Sequence, residues 1–200
     1  MAQHCPEAAL EAALEASIAI LEVYHQDFSA RIKNDGSPVT KADLISSKLI
    51  LDKLKHTRLP IINEETPKET YDKRVRWERC WCVDPLDGTK EFIQKNDEFT
   101  VNIALIEQGR SVLGVVYAPA LNLLYWGGPA LGAFRRQPGN TQAISVAQDI
   151  HKQTCRVVAS KSHLNEATQK FIDQLGPVSL IQAGSSLKFC RVAEGAADIY

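Results

Sequence analysis

The chain carries almost no net charge. Its 23 basic and 24 acidic residues leave −1 at pH 7, so no bulk attraction draws it to nucleic acid, and a nucleic acid polymer is not an expected partner. One phosphorylated small molecule remains open as a ligand, because a single local site can bind it. No apolar run approaches the ~20 residues needed to span a bilayer. The N-terminus sets Glu7, Glu11 and Glu15 among alanines, the wrong charge for a signal peptide. The expected location is therefore the cytoplasm, with peripheral attachment to the inner membrane left open. Cysteine is sparse and unpatterned: Cys5, Cys80, Cys82, Cys155 and Cys190 form an odd, scattered set with neither C-x-x-C nor zinc spacing. They read as small hydrophobes in a reducing compartment. Cys80 and Cys82 flank Trp81 on an expected strand, so their side chains should point to opposite faces. Internal repeats and low-complexity tracts are absent.

What is present is an ordinary globular composition, 200 residues with 44% hydrophobic and 24% charged. That suits one large domain or two small ones with a real core. Residues 7–28 predict a helix with Leu10, Leu14, Ile18, Leu21 and Tyr24 on one face. Asn34 to Pro38 predicts a turn. Thr40 is a good N-cap for a helix over 41–56, with Leu44, Ile45, Leu49 and Leu51 or Leu54 inward. Ile61-Ile62 starts a short strand that ends at Glu64-Glu65, and 66–78 reads as a surface loop. Strands over 79–83, 99–106, 112–117 and 121–126 predict an antiparallel meander, with 133–135 as an extension. After a loop at Gln137-Pro138-Gly139-Asn140 the texture changes to strand 156–160, helix 164–175, strand 178–182 and helix 185–194, the last opening at Gly184. The expected organisation is an α+β half over 1–137 carrying metal-binding motifs. An α/β half over 138–200 would carry substrate-binding segments.

Acidic residues fall at element boundaries, where folds present functional groups. Asp43 lies in the first turn of a helix, Glu64 and Glu65 at a strand end, and Asp84 and Asp87 around Pro85-Leu86 at another. Pro85 stiffens the segment and Gly88 permits a tight turn or a close approach. Carboxylates forced together repel unless a cation neutralises them, and oxygen-only ligands favour Mg²⁺ or Mn²⁺ over zinc. The Leu86 carbonyl is a candidate further ligand. A helix starting at Gly88 would aim N–H groups at a phosphate, and Thr89, bonded to Asp43, could orient a water. Each piece has a plainer reading. Asp-Gly is a common turn, Asp-Pro a common loop opener, and Glu64-Glu65 alone a solvated strand end. The conjunction in this order favours phosphate chemistry.

Pro38-Val39-Thr40-Lys41-Ala42-Asp43, Ile61-Ile62-Asn63-Glu64-Glu65 and Val83-Asp84-Pro85-Leu86-Asp87-Gly88-Thr89 resemble the three ordered motifs of the inositol monophosphatase superfamily. The resemblance covers nearly the whole chain. It implies a layered α-β-α-β-α sugar-phosphatase-like fold and a lithium-sensitive phosphatase using two or three Mg²⁺ ions, with Mn²⁺ an alternative. Thr89-Lys90-Glu91-Phe92, Ala159-Ser160-Lys161-Ser162-His163 and Gly184-Ser185-Ser186-Leu187-Lys188-Phe189-Cys190 look like the 3′(2′),5′-bisphosphate nucleotidase branch. That implies hydrolysis of adenosine 3′,5′-bisphosphate to AMP and phosphate, within sulfur assimilation. The resemblance makes Glu64, Asp84, the Leu86 carbonyl and Asp87 metal ligands, with Asp43, Thr89 and Glu64 catalytic. Gly88 and Thr89 would contact the scissile phosphate, and Ser160, His163, Gly184 and Lys188 the nucleotide. On residues alone Lys188 reads more readily as a solvated lysine behind an N-cap, and His163 as a surface helix-start residue.

The chain also departs from that pattern. The family has a late Trp-Asp segment whose aspartate is a metal ligand. Here Trp77, Trp81 and Trp126 precede Glu78, Cys82 and Gly127. Ala197 to Tyr200 reads as the opening of a strand with no partner. The expectation is a fragment, truncated at its C-terminus, and nearly inactive if expressed as these 200 residues alone. Two other readings stay open: an inositol monophosphatase or related sugar phosphatase, and an inactive metal- or nucleotide-binding remnant. Oligomeric state is not legible.

Overall fold

The computed structural model describes residues 5–34, 36–148, 154–161 and 165–200. Helix α1 (Cys5–Tyr24) and helix α2 (Lys41–Leu54) lie together against a seven-stranded sheet. Between them β1 (Ala30–Ile32) pairs antiparallel with β2 (Pro38–Thr40) as a hairpin. Tyr24 and Leu54 are inward as expected, but the rest of both helix faces differs from the sequence reading. On α1 the buried residues are Ala9, Ala12, Ala13, Ala16, Ile20 and Tyr24, whereas Ile18 is 64% exposed and Leu10, Leu14 and Leu21 are half-buried flanks. On α2, Ala42, Ser46, Ser47, Ile50 and Leu54 face inward, Ile45, Leu49 and Leu51 are half-buried, and Leu44 is exposed. Small side chains let the helix backbones approach each other and the sheet. Closer packing along the whole helix outweighs the burial of any one larger side chain. The Ser17 hydroxyl, placed inside by this rotation, donates to the Ala13 carbonyl at 2.6 Å.

Thr40 caps α2 as expected. Its side chain accepts from the Ala42 N–H, and Asp43 reaches back to the Thr40 N–H in a capping box. The helix ends at Leu54, and a 3₁₀ turn (Lys55–Thr57) closes on Arg58 with φ 58°.

The large sheet runs β3 (Ile61–Asn63), β4 (Arg79–Asp87), β5 (Thr100–Glu107), β6 (Arg110–Ala118), β7 (Leu123–Gly128), β8 (Gly132–Gln137) and β9 (Asn140–Ala143). The expected meander is there, and β3 joins it parallel to β4. The 137–140 segment is the tip of a β8–β9 hairpin rather than an open loop. The polar 66–78 stretch contains one short helix, α3 (Tyr71–Arg74), and is largely exposed. Another, α4 (Thr89–Ile93), follows β4. The core under α1 holds Trp81, Phe92, Phe99, Val101 and Ile103. The Trp81 indole N–H donates to Thr57 Oγ1 at 2.9 Å. Cys80 is buried and Cys82 exposed, the alternation expected of a strand.

A second, two-stranded sheet pairs β10 (Cys155–Ser160) parallel with β11 (Val178–Ala183), joined by α5 (Glu166–Asp173). Parallel neighbours need such a crossover. The tail segment has a partner after all: Ile199 bridges Val157, and Arg156 pairs with Asp198 at 2.6 Å. Helix α6 (Leu187–Ala193) packs Leu187 and Cys190 with Tyr125, Val158 and Ala183. It starts two residues later than predicted, because Ser185 adopts φ 51° and cannot be helical. No described helix is long and apolar enough to cross a membrane.

Glu194 ties α6 to the large sheet. Its buried carboxylate accepts from Tyr125 at 2.8 Å and meets Arg135 at 3.2 Å and Arg191 at 2.8 Å. Glu194→Ala would leave both guanidiniums without that partner, so a stability loss of about 3 kcal/mol is expected from urea unfolding. Burial, and then the Glu194 charge, push the Cys190 thiol up to about 12. At pH 8 a maleimide reagent should therefore modify Cys82 and spare Cys190 until the protein unfolds, as peptide mass mapping would show.

Candidate active site

The parallel register of β3 and β4 decides where the first carboxylates meet. Asn63 pairs with Val83, and the Glu64 N–H donates to the Val83 carbonyl at 3.2 Å. Glu64 and Asp84 thus leave adjacent strands side by side. The strand end is clamped by buried Asn63, which donates to Ser47 Oγ at 3.1 Å and accepts from the Glu65 N–H at 2.9 Å.

Strand β4 continues past Asp84 through a one-residue bulge: Asp84 faces Asn102 on β5, but Asp87 faces Thr100. A bulge tolerates Pro85, whose missing N–H is not needed there. The Ser46 hydroxyl holds the Pro85 carbonyl at 2.7 Å, and the Leu86 N–H donates to Asp84 Oδ1 at 3.2 Å. Leu86 buries its side chain, while its carbonyl accepts from Thr89 Oγ1 at 3.4 Å. Gly88 then turns with φ +87°, and a Cβ there would lie 3.1 Å from Ser185 Cβ and 3.3 Å from the Glu98 carbonyl. Backbone and space both require glycine.

Asp43, buried at the start of α2, meets this segment from below. Its Oδ2 accepts from the Thr40 N–H at 2.7 Å and hydroxyl at 2.6 Å, and its Oδ1 accepts from the Thr89 hydroxyl at 3.2 Å. Burial raises its pKa against the pull of those hydrogen bonds. Asp84 is raised further. Burial first, then the charges of Asp87 and Glu64, push it up to about 8.

Three carboxylates that repel one another, with a main-chain carbonyl beside them, match the oxygen-only preference of a hard divalent cation. Side chains of this protein carry part of the neutralising role. The Lys33 ammonium, from the β1–β2 hairpin, sits 3.0 Å from Glu64 and 2.5 Å from Glu65. Burial opposes its charge, but the two carboxylates outweigh burial and raise its pKa. Asp87 Oδ2 accepts from Ser185 Oγ at 2.6 Å and Ser186 Oγ at 2.7 Å. Those serines are held in turn by Thr100 at 2.5 Å and Asn102 at 2.8 Å. With Glu64 and Asp87 so engaged, no closed group of three acidic, histidine or cysteine side chains forms among the described residues. The donor chemistry fits a metal, and the Lys33 ammonium and the two serine hydroxyls balance part of the carboxylate charge.

A cleft of about 230 Å³ opens over the segment, lined by Glu64, Asp87, Gly88, Thr89, Ser160, Ser185 and Lys188. Ser160 and Lys188 also line an adjoining, mostly apolar pocket of about 710 Å³ beside α5. Lys188 is buried and donates to the Ser185 carbonyl at 2.5 Å, so it is not the solvated lysine of the plainer reading. Gly184 lies at the end of β11, against Glu91 and Glu98. His163 lies outside the described residues. Sequence reasoning missed Lys33, Thr100, Asn102, Ser185 and Ser186 as site residues. The paired serines after Gly184 were visible, but their acceptor Asp87 is 98 and 99 residues away.

The inositol monophosphatase family pattern matches residues 1–200. The chain belongs to that family. As a member it is a phosphatase. It is 43% identical over 198 residues to the 3′(2′),5′-bisphosphate nucleotidase CysQ of Salmonella typhimurium, covering 97% of this chain and 78% of that protein. It is 43% identical to the Escherichia coli K12 protein of the same name, covering 94% and 76%. Among solved structures, CysQ from Bacteroides thetaiotaomicron superposes with a TM-score of 0.83 at 37% identity, covering 96% of this chain and 77% of that one. An inositol monophosphatase from Anabaena shares the layered α/β fold with a TM-score of 0.77 at 25% identity, covering 98% and 73%.

Gly88→Ala should be costly for this family member. The φ of +87° and the contact at Ser185 both oppose a Cβ. A loss on the order of 2 kcal/mol in urea unfolding is expected, with activity falling by more than stability alone explains.

Proposed function

We propose that the protein hydrolyses the 3′-phosphate of adenosine 3′,5′-bisphosphate to give AMP and phosphate, with Mg²⁺, in sulfur assimilation. The observation that carries this is the Thr89–Asp43 hydrogen bond placed directly beside the carboxylate cluster of Glu64, Asp84 and Asp87. The names of the relatives at 43% identity support the substrate.

Glu64, Asp84, the Leu86 carbonyl and Asp87 would hold the Mg²⁺ ions. Bound Mg²⁺ supplies charge neutralisation for the phosphoryl oxygens and a more acidic water. The chain's own residues do the rest. Thr89 passes its hydroxyl proton to Asp43 Oδ1 as it takes one from the attacking water. Burial makes Asp43 a better proton acceptor than an exposed aspartate. Thr40 holds the other carboxylate oxygen, so Oδ1 stays aimed at Thr89. Gly88 brings main chain close to the phosphoryl group. Ser160 and Lys188, where the cleft joins the larger pocket, would contact the nucleotide, and the resemblance gives Gly184 and His163 the same role. In this reading residues 1–137 supply the metal-binding motifs and residues 138–200 the substrate segments. The free cysteines suit work in the cytoplasm.

The test is phosphate release by the protein from adenosine 3′,5′-bisphosphate and from inositol 1-phosphate. The nucleotide should be preferred, and chelation or Li⁺ should suppress the reaction. Preference for inositol 1-phosphate would sink the assignment. Asp43→Asn should lower kcat by about 10²–10⁴ through loss of the proton acceptor. At about 100 times its dissociation constant, Mg²⁺ should stabilise the wild type by ~2.7 kcal/mol in thermal unfolding. Asp84→Asn should shrink that increment.

A further inference from the structure

The loop 94–98, between α4 and β5, is built at a cost that the carboxylate cluster does not require. Lys95 and Asp97 hold positive φ of 57° and 67°, conformations unfavourable for residues with a Cβ. Several anchors enforce them. Asp97 Oδ1 accepts from the Tyr24 hydroxyl at 2.7 Å, and the Asp97 N–H donates back to that oxygen at 3.2 Å. Asn96 Oδ1 accepts from the Glu98 N–H at 3.1 Å. The Lys95 ammonium lies 4.4 Å and 4.6 Å from the ring centroids of Tyr24 and Phe28. Strain held this firmly marks a segment that delivers something.

It delivers Glu98. A single oxygen, Oε2, accepts from the Gly184 N–H at 2.8 Å and from the Lys161 ammonium at 2.8 Å. Gly184 follows the last residue of β11 and Lys161 the last of β10, and those strand ends are paired, Ser160 with Ala183. One carboxylate therefore clips both ends of the small sheet to the large one. The approach is close. A Cβ at Gly184 would fall 2.8 Å from Glu91 Cγ and 3.1 Å from both Glu98 Cβ and the Glu98 carbonyl.

We propose that Glu98 is a positioning residue for substrate selection. By clipping Gly184 and Lys161 it sets the distance between the Ser160–Lys188 side of the cleft and the Asp87–Thr89 side. That spacing admits a nucleoside phosphate and gives a small phosphoester no advantage. The proposal rests on the nucleotidase reading above. Glu98 touches no reacting atom and acts through the segments it holds.

The test compares wild type, Glu98→Gln, Lys161→Met and the double variant on adenosine 3′,5′-bisphosphate and inositol 1-phosphate, with thermal midpoints alongside. Glu98→Gln should raise KM for the nucleotide about tenfold and leave kcat within about twofold, the mark of lost binding rather than lost chemistry. Inositol 1-phosphate kinetics should not move. Lys161→Met should shift the nucleotide KM in the same direction by less, and the double variant should be no worse than Glu98→Gln. Equal losses on both substrates, a change confined to kcat, or unchanged kinetics would overturn the role. If Glu98→Gln fails to fold, Lys161→Met, which keeps the Gly184 hydrogen bond, decides by the same criteria. A wild type that prefers inositol 1-phosphate overturns the nucleotidase reading. A wild type that prefers the nucleotide, with a Glu98→Gln variant of unchanged preference, overturns the role of Glu98 alone.

Discussion

Concentrated negative charge at the carboxyl ends of β3 and β4 is the constraint around which this molecule is organised. Parallel pairing puts Glu64 against Asp84, and the β4 bulge brings Asp87 back toward both. The repulsion shows in Asp84, whose carboxyl is raised well above the usual carboxylate range by burial and then by the charges of Asp87 and Glu64. Every nearby element answers it. The β1–β2 hairpin lends Lys33 to Glu64 and Glu65, and the turn before α6 lends two hydroxyls to Asp87. A structure that tolerates such crowding only with borrowed charge and hydrogen bonds is suited to receive a cation there.

Around that cluster the fold uses close approach rather than bulk. Gly88 and Gly184 are both flanked by Glu98, and a Cβ at either position would force neighbouring atoms to shift. Strain in the 94–98 loop is carried by α1 through Tyr24. The same economy explains the helices: α1 and α2 bury alanines and serines so that Ser46 and Ser47 reach the Pro85 carbonyl and Asn63. A stripe of larger residues would have filled that space with side chains that cannot hold the strand ends.

Local chemistry made much of this legible in advance. Thr40 as a helix cap, the β5–β7 meander and the alternation of Cys80 and Cys82 follow from capping, β-propensity and strand period. The helix faces were not legible, because apolar size in a sequence does not reveal how closely two backbones will approach. The β8–β9 hairpin was hidden by a strand of four polar or small residues. Ser185 and Ser186 were read as a helix opening, since a left-handed serine forced by its neighbours leaves no local signal.

The carboxylates, their order and their hard-oxygen character were therefore determined by sequence alone. Asp84-Pro85-Leu86-Asp87-Gly88-Thr89 carries its own stiffness and its own turn. Tertiary structure decided what those groups meet. The β3–β4 register chose the partner of Asp84, α2 brought Asp43 to Thr89 across 46 residues, and the small sheet brought two serines to Asp87. Covalent neighbours set conformation within a few residues. The charge environment of a buried carboxylate is set by whatever packs against it, however distant in the chain.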